Sequence, residues 1–148
     1  MTYDSSSSVR AARDQYLAAN GFSLADYQAR WVRFKIGPVP IVFVNTRTRK
    51  AAVPLHDLHH LATGYQTDLR GEAEIAAWEL AAGCGRYWAA WVLNSMTIAT
   101  GAVIAPRRTL AAWRRGRRSR SLYHESFQDS LLDLSVAELQ NRLELDPR

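Results

Sequence analysis

Two histidines four residues apart, His56 and His60, with Asp57 directly after the first, are the residues of this 148-residue chain best suited to chemistry. Each helical residue turns by about 100°, which leaves His60 about 40° from His56 and Asp57 about 100° from it. All three side chains can then converge on one point beside a helix. Neutral imidazole nitrogens and a carboxylate are the donors that zinc, iron and manganese take. A fourth ligand must come from another element. Glu72, near the start of the next helix, can supply it if the 63–68 loop joins the two helices antiparallel. His59 points about 60° to the other side of His56, which makes it a group behind the ligands or a surface residue. The plain alternative is that histidines at this spacing are surface residues or satisfied core groups, and spacing alone does not separate the two readings.

Other reactive residues add less. Glu79 and Arg86 follow Glu72 by seven and fourteen residues, on the same helical face if the helix continues. Glu79 is then either a carboxylate that orients a ligand histidine or a solvated charge. Cys84 has no histidine near it in sequence and reads as a small buried residue rather than a nucleophile. A histidine–aspartate pair also occurs in the HD-type phosphohydrolases, but those need a further histidine upstream, and none precedes His56.

The elements that must position these groups can be read from pattern. Ser8 to Asn20-Gly21 reads as a first helix with Val9, Ala12, Tyr16 and Ala19 on its inward stripe. Ser23 and Asp26 form a capping box for a short second helix. Residues 31–36 alternate in polarity and 39–44 are apolar and β-rich, with Gly37-Pro38 between them, which predicts a β-hairpin or two extended arms. Pro38 and Pro40 argue against a central strand. Thr46 to Lys50 reads as a basic turn. Pro54 sits in the first turn of the metal-motif helix, which stops at Gly64. Thr67 or Asp68 caps a longer helix through Glu72 and Trp78. A basic helix surrounds Trp113, and Ser135 with Glu138 caps a terminal helix ahead of Leu139, Leu143 and Leu145. The expected fold is mainly α: one compact helical domain over 9–148 with a short β-hairpin, behind a frayed tail at residues 1–8.

Between Arg86 and Arg107 there is no charged residue. Such a run approaches the roughly 20 residues that a bilayer span needs. Asn94, Ser95, Thr97, Thr100 and Gly101 interrupt it, which favours a buried central helix lining an apolar cavity over membrane insertion. Directly after it come Arg107, Arg108, Arg114, Arg115, Arg117, Arg118 and Arg120, a concentration of positive charge that outweighs the whole chain's net charge of +5, while the chain upstream is close to balanced. Arg114, Arg115, Arg117 and Arg118 could clamp anionic lipid headgroups or a prenyl phosphate. They could equally be a solvated helix face. Nucleic acid is disfavoured because no nucleic-acid fold motif or aromatic platform accompanies the charge. A hydrophobic content of 47% with 22% charged residues is that of a globular protein. A single cysteine excludes an internal disulfide framework. The N-terminus lacks the pattern of a signal peptide, so the expected location is the cytoplasm, with peripheral contact at the inner membrane face as an option that the arginine cluster offers.

His-Asp-x-x-His followed by eleven residues and Glu resembles the signature of the fourth ubiquinone (coenzyme Q) biosynthesis protein family, here His56, Asp57, His60 and Glu72. Pro-Leu-His-Asp-Leu-His-His-Leu-Ala-Thr-Gly-Tyr, Arg-Gly-Glu-Ala-Glu and Ala-Trp-Arg-Arg-Gly-Arg-Arg-Ser-Arg-Ser-Leu-Tyr extend the resemblance over roughly residues 50–145. With its short N-terminal helix the chain looks like a compact bacterial relative. The resemblance implies one divalent metal, zinc first and iron or manganese next, on those four residues. It implies metal-dependent oxidative decarboxylation with hydroxylation of a prenylated aromatic precursor. Trp88, Trp91, Val92, Met96 and Ile98 would line a prenyl tunnel or simply pack the core. The other reading is a non-catalytic lipid-binding scaffold for quinone-biosynthesis enzymes, with a structural metal.

Overall fold

Helix α1 (Val9–Asn20) begins where the Ser8 hydroxyl accepts from the Ala11 amide, and it ends at Gly21 in a left-handed conformation, φ 69°. The computed structural model describes residues 3–36 and 39–145. Val9, Ala12, Tyr16 and Leu17 form the buried stripe of α1, while Ala19 is exposed. Residues 5–8 are not a frayed tail. Ser7 and Ser5 carbonyls accept from Val136 and Ala137, and Ser8 bridges to Ser135. Backbone hydrogen bonds to the C-terminal segment replace the solvent contacts that a run of serines suggests.

Helix α2 (Leu24–Gln28) is capped by Ser23, whose backbone amide donates to the Asp26 carboxylate at 2.7 Å. Strands β1 (Trp31–Ile36) and β2 (Val39–Val44) pair antiparallel, Trp31 opposite Val44 and Ile36 opposite Val39. In a two-stranded ribbon both strands are edges, so Pro40 costs no central ladder bond. The expected Gly37-Pro38 interruption lies outside the described residues.

Helix α3 (Arg47–Thr63) starts seven residues before Pro54. Thr46 is its cap, accepting from the Arg49 amide, so the expected basic turn is the first turn of this helix. Pro54 is tolerated inside α3 at the loss of one helical donor. Gly64 closes α3 in a left-handed conformation, φ 71°, and a short loop leads to helix α4 (Leu69–Ala82), where Asp68 accepts from the Gly71 amide at 2.7 Å. A Cβ on Gly71 would lie 2.1 Å from the Gln66 carbonyl oxygen. The loop therefore folds back tightly on the first turn of α4, which is the turn that carries Glu72.

Helix α4 packs against both helix α5 (Trp88–Ile104) and helix α6 (Pro106–Gly116). At Gly101 a Cβ would sit 2.5 Å from the Ala73 Cβ and 2.7 Å from the Thr109 hydroxyl, so the three helices meet at a residue without a side chain. The core around them holds Leu55, Leu58, Ile75, Trp78, Leu122, Tyr123, Leu132, Leu139 and Leu143. Helix α7 (Val136–Arg142), with its Ser135–Glu138 capping box, closes the chain against α3.

Helix α5 is not the buried central helix that its composition suggests. Ala89, Ala90, Asn94 and Gly101 face inward, while Trp88, Trp91, Val92, Leu93, Met96 and Val103 are exposed. Small residues permit close contact with α4, and the large apolar ones are left on the outside. The expected tunnel wall is an open apolar face, with Ile98 alone of its five residues packed against the core. No helix among the described residues is long and apolar enough to cross a membrane.

Candidate metal centre

On α3, His56 and His60 turn their Nε2 atoms toward each other at 3.2 Å. Glu72, in the first turn of α4, reaches between them, with Oε1 3.3 Å from His60 Nε2 and Oε2 3.7 Å from His56 Nε2. One ligand atom from each of the three lies within 4.8 Å of the others, a group that could hold a metal ion. The 63–68 loop achieves this by setting the start of α4 beside the last turns of α3.

The hydrogen bonds on the far side of each ring decide what those Nε2 atoms can do. His60 Nδ1 lies 3.0 Å from the Tyr65 carbonyl oxygen. A carbonyl only accepts, so Nδ1 carries a proton, and in the neutral ring Nε2 carries the lone pair. His56 Nδ1 lies 2.8 Å from Glu79 Oε1, and the same reasoning assigns its proton. Two imidazole lone pairs facing each other at 3.2 Å repel unless a cation, proton or metal, shares them. Two nitrogens on one tetrahedral zinc ion, each at 2.0–2.1 Å, stand about 3.3 Å apart. The donor set therefore fits a divalent metal in chemistry and in spacing, and three protein ligands leave coordination positions open.

Asp57 is not brought into this group. Its turn of about 100° along the helix takes its carboxylate toward α1 and α2, where it accepts from Tyr27 Oη at 2.6 Å and from Tyr16 Oη at 3.4 Å. Burial raises its pKa above the ordinary carboxylate value. Burial, reinforced by Asp57, likewise raises both tyrosines. Tyr16 also stacks on His60, with ring centroids 5.9 Å apart. His59, which the sequence leaves either behind the ligands or at the surface, is fully buried. Its Nδ1 lies 2.7 Å from Glu79 Oε1, and its Nε2 accepts from the Leu122 amide at 2.9 Å. Glu79 is fully buried as well, and it also accepts from Tyr123 Oη at 3.0 Å and from Asn94 Nδ2 at 2.6 Å. Tyr16, Tyr27, Asn94 and Tyr123 carry no local sequence signal, because each meets the site from a distant segment.

Arg86 does not share the Glu72 face, since α4 ends at Ala82; its guanidinium reaches Ser126. Cys84 is buried, and burial followed by the nearby Glu79 pushes its thiol up to about 12, as an inert thiol requires. The arginine cluster divides. Arg108 pairs with Glu74 and Arg120 with Glu144, while Arg115 donates to the Thr63 carbonyl and lies over the Tyr65 ring. Arg107, Arg114, Arg117 and Arg118 are exposed.

Burial alone would raise the Glu72 carboxyl, but hydrogen bonds from the His56 and His60 rings when they carry a proton at Nε2 outweigh it and hold the group down at about 2, with a third of the side chain open to solvent. At His56 burial disfavours the charged ring, and Glu79 with Glu72 outweighs it, so its pKa lies well above 6.5. A proton and a metal ion then compete for the His56 Nε2 lone pair. Metal occupancy should fall on acidification, and the fall should begin above pH 6.5. Equilibrium dialysis at limiting Zn2+ checks this, and occupancy unchanged from neutral pH down to pH 5 would speak against histidine ligation.

No protein-family model matches this chain, and no curated protein matches it. The geometry of the site supports a group that could hold a metal ion.

Proposed function

We propose that the protein is a metal-dependent enzyme of the ubiquinone-biosynthesis type, acting on the carboxylate-bearing ring of a prenylated aromatic acid at a membrane surface. The observation that carries the proposal is the convergence of His56 Nε2, His60 Nε2 and the Glu72 carboxylate on one point. A divalent ion bound there supplies Lewis-acid polarisation of a substrate carboxylate and its neighbouring phenol oxygen. Glu72 and His56 are partly open to solvent, so substrate approaches from their side. The open apolar face of α5 and the exposed arginines of α6 suit a prenyl chain and an anionic headgroup layer.

One observation favours a second reading. The cavity that His60 lines with Tyr3, Tyr16, Asn20, Tyr65, Gln66 and Thr67 measures about 30 Å³, room for a water and not for an aromatic ring, and neither His56 nor Glu72 borders it. A non-catalytic scaffold with a structural metal needs no larger space. The two separate on one assay: protein loaded in turn with Zn2+, Fe2+ or Mn2+ is given a prenylated hydroxybenzoic acid labelled at the ring carboxylate, in air with a reductant. Labelled carbon dioxide that depends on protein and metal supports the enzyme. Stoichiometric binding of the acid with no release under any of the three metals supports the scaffold.

A further inference from the structure

Glu79 lies behind the three candidate ligands, and its surroundings are more elaborate than a core polar group needs. It is fully buried on α4, and among the described residues its ion-pair partners are the histidines His56 and His59 alone. Oε1 receives His56 Nδ1 at 2.8 Å, His59 Nδ1 at 2.7 Å and Tyr123 Oη at 3.0 Å. Oε2 receives Asn94 Nδ2 at 2.6 Å. Four donors from α3, α5 and the segment after α6 thus fix both oxygens of one carboxylate. A buried carboxylate is costly unless it is paired with positive charge. Among the described residues the route to a countercharge runs through an imidazole ring.

His56 offers that route. Its Nδ1 faces Glu79 and its Nε2 faces His60 and Glu72. His59 offers none, because its Nε2 is occupied by the Leu122 amide. It acts as a strut between the carboxylate and the backbone at 122. We propose that Glu79 is the positioning residue of the metal site: it holds His56 as the Nδ1–H tautomer with Nε2 aimed at the ion, and His59 and Tyr123 anchor it to the 121–124 segment. The inference rests on the metal-site reading above. A carboxylate hydrogen-bonded to the far nitrogen of a ligand histidine fixes ring orientation and makes the ligand nitrogen more basic, and losing such a partner weakens metal binding by about 10- to 100-fold.

The test is a Co2+ titration followed in the visible spectrum, on wild type and Glu79→Gln, with metal-free thermal unfolding of each measured alongside. Glutamine keeps an oxygen that can accept from His56 and removes the charge. The expected result is Co2+ binding weakened about 10- to 100-fold in the folded variant, with altered band intensities. A Glu79→Gln protein that melts lower yet binds Co2+ with wild-type affinity and spectrum overturns the inference, since Glu79 would then support the fold alone. If wild type itself binds no Co2+, the metal-site reading fails first, which separates the two failures. Should the variant not fold, nitrogen-15 spectra of the histidine rings in Zn2+-loaded wild type decide the matter. A protected His56 Nδ1–H with Nε2 on the metal supports the inference, and a His56 ring that binds through Nδ1 overturns it.

Discussion

His60→Ala is expected to release the metal, while His59→Ala, one residue away, keeps it. His60 Nε2 lies 3.2 Å from His56 Nε2 and 3.3 Å from Glu72 Oε1, so alanine removes one of three converging donors. Affinity should fall by more than about 100-fold, beyond what losing a supporting partner costs. His59 Nε2 instead accepts from the Leu122 amide and leaves the ligand set intact. Its replacement should leave affinity within about tenfold of wild type. The cost appears in stability, because the buried Leu122 amide loses its acceptor, worth about 1–3 kcal/mol. Isothermal titration with Zn2+ and thermal unfolding give both numbers, and equal metal loss in the two variants would show the ligand assignment to be wrong.

The second large effect concerns the proposed membrane surface. Arg114, Arg117 and Arg118 are exposed, whereas Arg115 is engaged with Thr63 and Tyr65, so a clean variant changes the first three to glutamine and spares Arg115. Each basic residue near an anionic surface contributes about 1 kcal/mol, so the triple variant should bind phosphatidylserine vesicles roughly 100-fold more weakly. Added salt should weaken wild-type binding in the same direction, since exposed charges are screened over about 8 Å at physiological ionic strength. Metal content should be unchanged, because the ligands lie on α3 and α4. Vesicle co-sedimentation in which the triple variant matches wild type would return the cluster to a solvated face. A paired Trp88→Ser, Met96→Ser variant tests the apolar face, both side chains being among the most exposed on α5. It should lose binding to neutral and anionic vesicles alike.

The parts of the site set by local spacing were legible in the sequence. A four-residue step on a helix and a short capped loop are enough to bring His56, His60 and Glu72 together. The fate of Asp57 was not legible, because a residue about 100° from its neighbour can turn either to the ligands or away. Two hydroxyls decide it, from Tyr16 on α1 and Tyr27 on α2. Glu79 was legible only as a carboxylate on the Glu72 face. Its partners Asn94 and Tyr123 arrive from 15 and 44 residues downstream, a separation that no local pattern encodes. Capping boxes at Ser23 and Ser135 and the glycine stops at Gly21 and Gly64 gave several helix ends correctly, since caps act within one turn. Pro54 points to a helix start and the uncharged 87–105 run points to burial, yet tertiary contacts decide how far α3 extends and which side of α5 is covered. Residues 5–8 show the same effect, as their order depends on residues 135–137.

Elemental analysis of the purified protein after Zn2+ loading and exhaustive dialysis decides whether His56, His60 and Glu72 hold a metal ion. One tightly held divalent ion per chain is expected in wild type and none in the His56→Ala, His60→Ala, Glu72→Gln variant, provided that variant retains wild-type helical content by circular dichroism. A folded triple variant that holds as much metal as wild type, or a wild type that holds none, would contradict metal binding at these residues.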